Sequence, residues 1–203
     1  MAWHDTTLGA HYGYTTAEAV DNAWEVYNYF RGLGNPWEIA SIAALCGNMS
    51  VESFMNPYIR ESTASGAFGL VQWISNKSNM INWAQSNNLR ATSGNAQVRY
   101  IEQERQGIDD QWGGRGDFVG VTFSDFAYNT RGYTVSVLAR CFWDCFERSR
   151  EYQTSRATRA EYYYSIFTGG EPPTPTPGDV PKWLLLHRKK PWWKLGGRKY
   201  ITV

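Results

Sequence analysis

One acidic side chain, Glu52, stands where an unusually apolar stretch of sequence ends: residues 47–53 read Gly-Asn-Met-Ser-Val-Glu-Ser. A short loop later, residues 66–73 form a glycine-rich aromatic segment, Gly-Ala-Phe-Gly-Leu-Val-Gln-Trp. A carboxyl group partly withdrawn from water keeps its proton more readily, because desolvation penalises the charged form. An acid held in this way beside a carbohydrate groove can protonate a glycosidic oxygen. The pattern therefore predicts Glu52 to be the general acid of a glycoside-cleaving site.

No motif marks a second carboxylate for this chemistry. Retaining glycosidases place one about 5 Å from the acid, and inverting enzymes place one about 6.5–9.5 Å away. Glu61 is the nearest downstream acid, on the loop that leads into residues 66–74, and is our candidate. The other acids considered are more distant in sequence: Asp109, Asp110, Asp117 and Asp125. A lytic transglycosylase needs none of them, since the N-acetyl group of its substrate can assist, so both reactions stay open.

Cysteine and metal chemistry are disfavoured by residue placement. Cys46 lies inside the apolar stretch, and Cys141 and Cys145 are four residues apart on a predicted helix, which favours small core residues over a disulfide. A cysteine peptidase or amidase needs a Cys–His pair, and a metal site needs several ligands. The three histidines are scattered towards the chain ends: His4, His11 and His187. We expect no metal and no other cofactor.

The elements that must position Glu52 are predicted from the spacing of apolar residues. A capping-box pattern at residues 15–18, with an apolar stripe behind it, predicts a first helix. A second helix, from about residue 36 to 51, is apolar on every side, which is typical of a buried helix. Residues 58–75 are rich in Ser, Thr and Gly, which favours a small β-hairpin or irregular lobe containing residues 66–74.

Helical patterns dominate the remainder of the first 168 residues. One of them carries an acid-base face formed by Glu102, Glu104 and Arg105. The predicted helical segments are 76–87, 95–106, 122–127, 134–152 and 158–167. The fold class expected from these patterns is α+β, predominantly α-helical, with a small β lobe.

The composition changes after residue 168. Residues 169–181 are rich in Pro, Thr and Gly, which predicts an extended linker between a domain at 1–168 and the end of the chain. Residues 182–203 form a basic, tryptophan-rich tail without an acidic residue, too short to fold alone. Such a tail suits an anionic wall polymer, a membrane surface or docking onto other proteins. The N-terminal residues lack the apolar core of a secretory signal peptide.

Two short motifs carry a resemblance to known families. Glu52-Ser53 followed by Gly69-Leu70-Val71-Gln72 resembles the Glu-Ser … Gly-Leu-Met-Gln signature of lytic transglycosylases and goose-type lysozymes. The fuller pattern, over roughly residues 16–168, is similar to the phage tail lysozyme family. The additional matching segments are Asn22-Ala23-Trp24, residues 42–49, Asn56-Pro57 and Cys145-Phe146-Glu147-Arg148.

The resemblance implies a lysozyme-like helical fold with a small β lobe, in which Glu52 is the acid. It also implies that Ser53 and Gln72 belong to the substrate groove. Trp73 is expected to stack on a sugar beside them, with a place in the core as the alternative. Tyr128-Asn129 resembles the Ala-Tyr-Asn-x-Gly motif of lytic transglycosylases, with one extra residue before the glycine. These two residues are therefore also expected to bind substrate.

The activity implied is cleavage of the β-1,4 bond between N-acetylmuramic acid and N-acetylglucosamine in peptidoglycan. A muramidase is expected, with a lytic transglycosylase giving 1,6-anhydro products as the alternative. A non-catalytic wall-binding tail protein is a further alternative, because the aromatic residues, 16% of the chain, could bind glycan without cleaving it. The expected setting is a phage tail tip or knob. The expected partners are peptidoglycan strands and other tail proteins, and nucleic acid is not expected to bind.

Overall fold

The computed structural model describes residues 3–4, 16–59, 66–109, 111–114, 116–130, 132–148 and 151–169. The described part is mostly helical, with a short 3₁₀ turn at Gly116–Phe118 and a π-helical turn at Trp143–Glu147. Its α-helices are α1 (Thr16–Arg31), α2 (Ile39–Ser53), α3 (Lys77–Ser86), α4 (Gly94–Arg105), α5 (Phe123–Tyr128), α6 (Val135–Phe142) and α7 (Ser155–Thr168). Within these ranges no helix is long and apolar enough to cross a membrane.

The helix that carries Glu52, α2, lies at the centre of the core. Residues 41–50 are all buried, as expected for a helix without a polar face. Its most extensive partner is α7, and Gly47 lies directly against that helix. A Cβ atom added at Gly47 would lie 2.7 Å from the Cβ atom of Ala160 and 2.6 Å from the carbonyl oxygen of Arg156. The missing side chain therefore lets the backbone of α7 pack directly onto α2.

The acid-base face predicted on α4 is largely buried. Glu102 and Glu104 are each only 4% exposed. Glu102 accepts hydrogen bonds from the indole nitrogen of Trp37 at 3.0 Å and from Nε of Arg105 at 2.9 Å. Charged side chains on this helix thus face neighbouring elements as well as solvent.

The expected β lobe is reduced, in the described residues, to one antiparallel bridge between Phe68 and Trp73. Gly69 and Gln72 adopt positive φ angles, which bend the chain into a tight turn. The backbone groups of Leu70 are satisfied by side chains: its N–H donates to Gln97 at 2.8 Å, and its carbonyl accepts from the Ser53 hydroxyl at 2.9 Å. These bonds take the place of a strand ladder and tie the turn to α2 and α4.

The C-terminal helices differ from the predicted bounds. The expected helix at 134–152 is α6 followed by the π-helical turn, and it stops at Arg148, which is left-handed with φ 53°. The last helix begins at Ser155, earlier than predicted, and Gly169 closes it in a left-handed conformation, as expected. The remainder of the expected linker at 169–181 and the tail at 182–203 lie outside the described residues.

Candidate active site

Glu52 occupies the last turn of α2 and is the partly exposed member of a buried polar cluster, with 21% of its side chain accessible. Directly after this helix, Phe54 and Met55 both adopt left-handed conformations, with φ angles of 54° and 63°. For residues other than glycine this conformation costs on the order of 1–3 kcal/mol each. Asn22 helps to hold the turn, because its Nδ2 donates to the carbonyl oxygen of Met55 at 2.9 Å.

A single guanidinium group, that of Arg156 on α7, joins two carboxyl groups. Nη2 of Arg156 bonds Oε1 of Glu52, and Nη1 bonds Oε2 of Glu147 at 2.5 Å. The same Nη1 donates to Oδ1 of Asn48 at 3.0 Å, and the Asn48 amide is fixed in turn by the carbonyl oxygens of Ala44 and Ala139. The arginine side chain is 2% exposed, so its charge is neutralised by protein groups rather than by water.

Glu147 reaches this cluster from the π-helical turn, and its side chain is 4% exposed. Burial, and next the negative charge of Glu52, raise the pKa of Glu147 well above its ordinary value, whereas Arg156 acts in the opposite direction. Both carboxyl groups bond terminal nitrogens of the same guanidinium group. Glu52 is therefore held by charged neighbours, and the apolar surroundings expected for its carboxyl group remain a prediction.

Three residues predicted to line the groove lie in the turn at 66–73 or bond to it, and they differ in exposure. Ser53 is buried, and its hydroxyl bridges the carbonyl oxygens of Met49 and Leu70, each at 2.9 Å. Trp73 is also buried, packed edge to face against Tyr100. Gln72 is half-buried, and its Nε2 donates to the carbonyl oxygen of Gly69 at 2.8 Å. Ser53 and Trp73 thus face the protein interior, and Gln72 is the more accessible of the three.

Tyr128 and Asn129 lie at the end of α5, where they meet α4. The guanidinium carbon of Arg105 stands 4.9 Å from the centroid of the Tyr128 ring. Burial and the nearby charge of Glu102 raise the pKa of Tyr128. The backbone N–H of Asn129 donates to the carbonyl oxygen of Asp125 at 2.8 Å, which ends α5. A role for either residue in binding substrate remains a prediction.

The acids considered as a second carboxylate have varied positions. Glu61 and Asp110 lie outside the described residues. Asp109 accepts from Asn79 at 2.9 Å and from the Tyr100 hydroxyl at 3.1 Å. Asp117 pairs with Arg140, and Asp125 closes the capping box of α5 with Thr122. Each of these three described acids therefore has a local structural partner.

Glu147 and Arg156 were not among the predicted site residues, although the sequence carries a signal for each. Glu147 belongs to the segment 145–148 that contributes to the family resemblance. Arg156 begins a stripe that continues through Ala160, Tyr163 and Phe167, all on the buried side of α7. An arginine on an otherwise uncharged inner stripe indicates a buried acidic partner, because an unpaired buried charge is costly.

The described residues offer little for thiol or metal chemistry. Cys46, Cys141 and Cys145 are all buried, and burial raises the pKa of the Cys46 thiol, which disfavours its nucleophilic form. Across the described ranges there is no group of three or more His, Cys, Asp or Glu side chains that could hold a metal ion.

Comparison with known proteins fits the helical fold and the Glu52 motif. The sequence model of the phage tail lysozyme family matches residues 21–167, and the chain belongs to this family. Morphogenesis protein 1 of Bacillus phage B103 is 32% identical over 157 residues, which are 75% of this chain and 40% of the relative. The chain therefore spans less than half the length of that relative. The family and the relative are both named for phage proteins.

Proposed function

We propose that this protein is a muramidase that cleaves the β-1,4 bond between N-acetylmuramic acid and N-acetylglucosamine, with Glu52 as the general acid. The observation that carries the proposal is the placement of Glu52: a partly exposed carboxyl group on a buried helix, fixed by an arginine that is itself buried. Precise placement of a proton donor is the main requirement for this chemistry, because the donor must meet the glycosidic oxygen at hydrogen-bond distance.

In the proposed reaction, Glu52 transfers its proton to the glycosidic oxygen as the bond to the sugar carbon breaks. The carboxylate that remains then accepts a proton from the group that attacks the sugar carbon. Gln72, on the turn anchored by Ser53 and Gln97, is proposed to line the groove. A rigid turn beside the acid limits the orientations of the bound sugar, which favours the reactive one.

A lytic transglycosylase is the second candidate. Glu147 shares the guanidinium group of Arg156 with Glu52, but its side chain is buried, so it is badly placed to attack a sugar or activate water. Glu61 remains the proposed second carboxylate if the reaction is hydrolysis. Without one, the substrate's own N-acetyl group and a sugar hydroxyl would complete the reaction and leave a 1,6-anhydro end.

We further propose that the protein acts from a phage tail to open the host wall locally. The family and the phage relative support this setting. The basic tail at residues 182–203 is proposed to dock onto other tail proteins or to contact an anionic wall polymer or membrane surface. Because the similar phage protein is named for morphogenesis, a purely structural wall-binding role is the rival to an enzymatic one.

The test compares the purified full chain with Glu52→Gln on purified peptidoglycan. Removal of the proton donor is expected to lower the release of soluble fragments about 10²–10⁴-fold. Glu151→Gln is the matched control, because Glu151 is an exposed glutamate. Equal release by wild type and Glu52→Gln, or release by neither, would contradict the proposal. Analysis of the products separates the candidates, since a reducing end indicates hydrolysis and a 1,6-anhydro end indicates transglycosylation.

A further inference from the structure

The cluster around Arg156 contains one permanent cation and two acids. With Glu52 and Glu147 both ionised, the three side chains carry one net negative charge, and with one proton retained they are neutral. Arg156 is 2% and Glu147 4% exposed, so most of the cluster is shielded from water. Burying a net charge is far more costly than burying a neutral, hydrogen-bonded set. The geometry therefore favours retention of one proton by the pair of carboxyl groups.

The hydrogen bonds indicate where this proton lies. Oε2 of Glu147 accepts from Arg156, whereas Oε1 is buried and no donor reaches it. A buried polar atom without a partner requires an explanation. A proton placed between Glu147 and Glu52 supplies one, because both carboxyl groups bond terminal nitrogens of the same guanidinium group. Glu147 would then be the donor and Glu52 the acceptor of a single shared proton.

We propose that Glu147 is a positioning residue that keeps one proton shared between its own carboxyl group and that of Glu52, while Arg156 holds both. This inference rests on the proposed function, since it assigns a source for the proton that Glu52 delivers. Asn48 completes the arrangement, because its side-chain oxygen fixes Nη1 of Arg156.

Tyr152 and Arg159 are further titratable groups that interact electrostatically with Arg156. Tyr152 lies near Arg156, and Arg140, also close to Tyr152, pairs with Asp117. Arg159, one turn along α7, donates to the carbonyl oxygen and the hydroxyl of Ser50. In the residues that the structure describes, the carboxyl group of Glu147 is thus influenced mainly by Glu52 and Arg156.

This arrangement accounts for the proton at each step of the reaction. Before the reaction, the pair holds one proton. Glu52 gives it to the glycosidic oxygen, the electron pair of the sugar carbon–oxygen bond moves to that oxygen, and both carboxyl groups are left ionised beside Arg156. The attacking water, or the sugar hydroxyl in a transglycosylase, then returns one proton to Glu52. The negative charge exists only while the sugar carbon is positively charged, so the two charges stabilise each other.

The test is the dependence of fragment release on pH for the full chain and for Glu147→Gln. Glutamine retains the shape of Glu147 but cannot store a proton, which leaves Glu52 alone beside Arg156. We expect Glu147→Gln to lose activity at a pH at least about one unit lower than the wild type does. Its rate near pH 7 should then be about tenfold lower and should recover towards pH 5. Glu104→Gln is the matched control, because Glu104 is an equally buried glutamate on α4.

The outcomes separate this inference from the proposed function. Equal pH profiles for wild type and Glu147→Gln, with Glu52→Gln inactive, would overturn the shared proton and leave the function intact. Full activity of Glu52→Gln would overturn the function itself. A profile that shifts in Glu104→Gln as much as in Glu147→Gln would show a general effect of buried glutamates and would also overturn the inference.

A second measurement does not depend on activity or on folding of the Glu147 variant. The side-chain carboxyl carbons of the glutamates are followed by ¹³C NMR during pH titration of the wild type and of Glu52→Gln. The shared proton predicts two coupled titration steps for the pair in the wild type. In Glu52→Gln, where a neutral glutamine replaces Glu52, Glu147 should titrate in one step. Titration of Glu147 that is identical in both proteins would refute the coupling.

Discussion

At the scale of single residues, Arg156 determines whether the buried acids are tolerated. Its guanidinium group bonds Glu52, Glu147 and Asn48 at once, from two different elements, α2 and the π-helical turn. Planar donors suit this task better than a lysine ammonium, which could serve fewer partners in fixed directions. The chemistry proposed for Glu52 therefore depends on a residue more than one hundred positions later in the chain.

Replacing this cation should be strongly destabilising. Arg156→Met keeps much of the side-chain volume but leaves the buried carboxyl group of Glu147 and the partly exposed one of Glu52 without their cation. Loss of one partner of a buried ion pair typically costs about 3–5 kcal/mol. Urea unfolding near pH 7 measures the effect. The double variant Arg156→Met with Glu147→Gln should lose less than the sum of the two single changes. Strict additivity would show that the two side chains do not interact energetically.

Glu104 should make stability depend on pH. Burial, and next the charge of Asp109, raise the pKa of Glu104 well above its ordinary value, which favours its neutral form in the folded protein. In the unfolded chain the Glu104 carboxyl group ionises above about pH 4.3. Because its pKa is higher in the folded protein, the contribution of Glu104 to stability is complete below that pH and is lost as the pH rises. We expect Glu104→Gln to be on the order of 1 kcal/mol more stable than wild type at pH 8, with the gap closing towards pH 4. Urea unfolding at both pH values tests this, and a constant gap would contradict it.

At the scale of elements, the contact between α2 and α7 brings the cluster together. Gly47 permits this contact, because α7 passes where a side chain would stand. The turn at 66–73 is fastened to the same helix by Ser53 and to α4 by Gln97. The end of α2 is therefore fixed on two sides, which suits a residue that must be placed accurately.

Gly47→Ala should move α7 away from α2. The added methyl group would meet backbone and Ala160 at less than 3 Å, so the helices must separate. We expect a loss of about 1–3 kcal/mol in the free energy of unfolding, and a drop in peptidoglycan cleavage as Arg156 withdraws from Glu52. The matched control is Gly34→Ala, where nothing lies within 4 Å of the added atom. Similar effects of the two changes on stability would contradict the close-packing argument.

The parts of the fold that the sequence predicted are those encoded locally. The uniform apolarity of α2 predicted a buried helix, and the predicted helix starts at Thr122 and Thr134 coincide with the N-caps of α5 and α6. The cluster could not be predicted in the same way, because Arg156 and Glu52 meet only through the packing of α7 on α2. The buried state of Ser53 and Trp73 is likewise a tertiary outcome, since neither spacing nor residue type distinguishes a groove wall from the core behind it.

At the scale of the whole molecule, the compact unit Met1–Pro173 contains every described residue and the region matched by the family. The candidate site lies entirely within it. The tail at 182–203 differs in composition and is predicted to serve attachment rather than cleavage.

A chain ending at Gly170 should therefore retain cleavage of purified peptidoglycan within about twofold, since the elements that form the cluster all precede that point. Incorporation into virions and binding to anionic liposomes are measured in parallel with the full chain. Lost incorporation with retained cleavage would favour docking through the tail. If the shortened chain binds liposomes as well as the full chain does, a membrane role for the tail is excluded. A large loss of cleavage would contradict the domain assignment.

The position of Arg156 on α7, the last helix described, has a consequence for the timing of activity during synthesis. A ribosome delivers Glu52 and Glu147 before their common cation emerges, so a nascent chain holds two acids that cannot yet be buried together. Competence thus arrives only when α7 has left the exit tunnel and docked. A fragment released earlier by premature termination would carry the acid without the group that holds it in place.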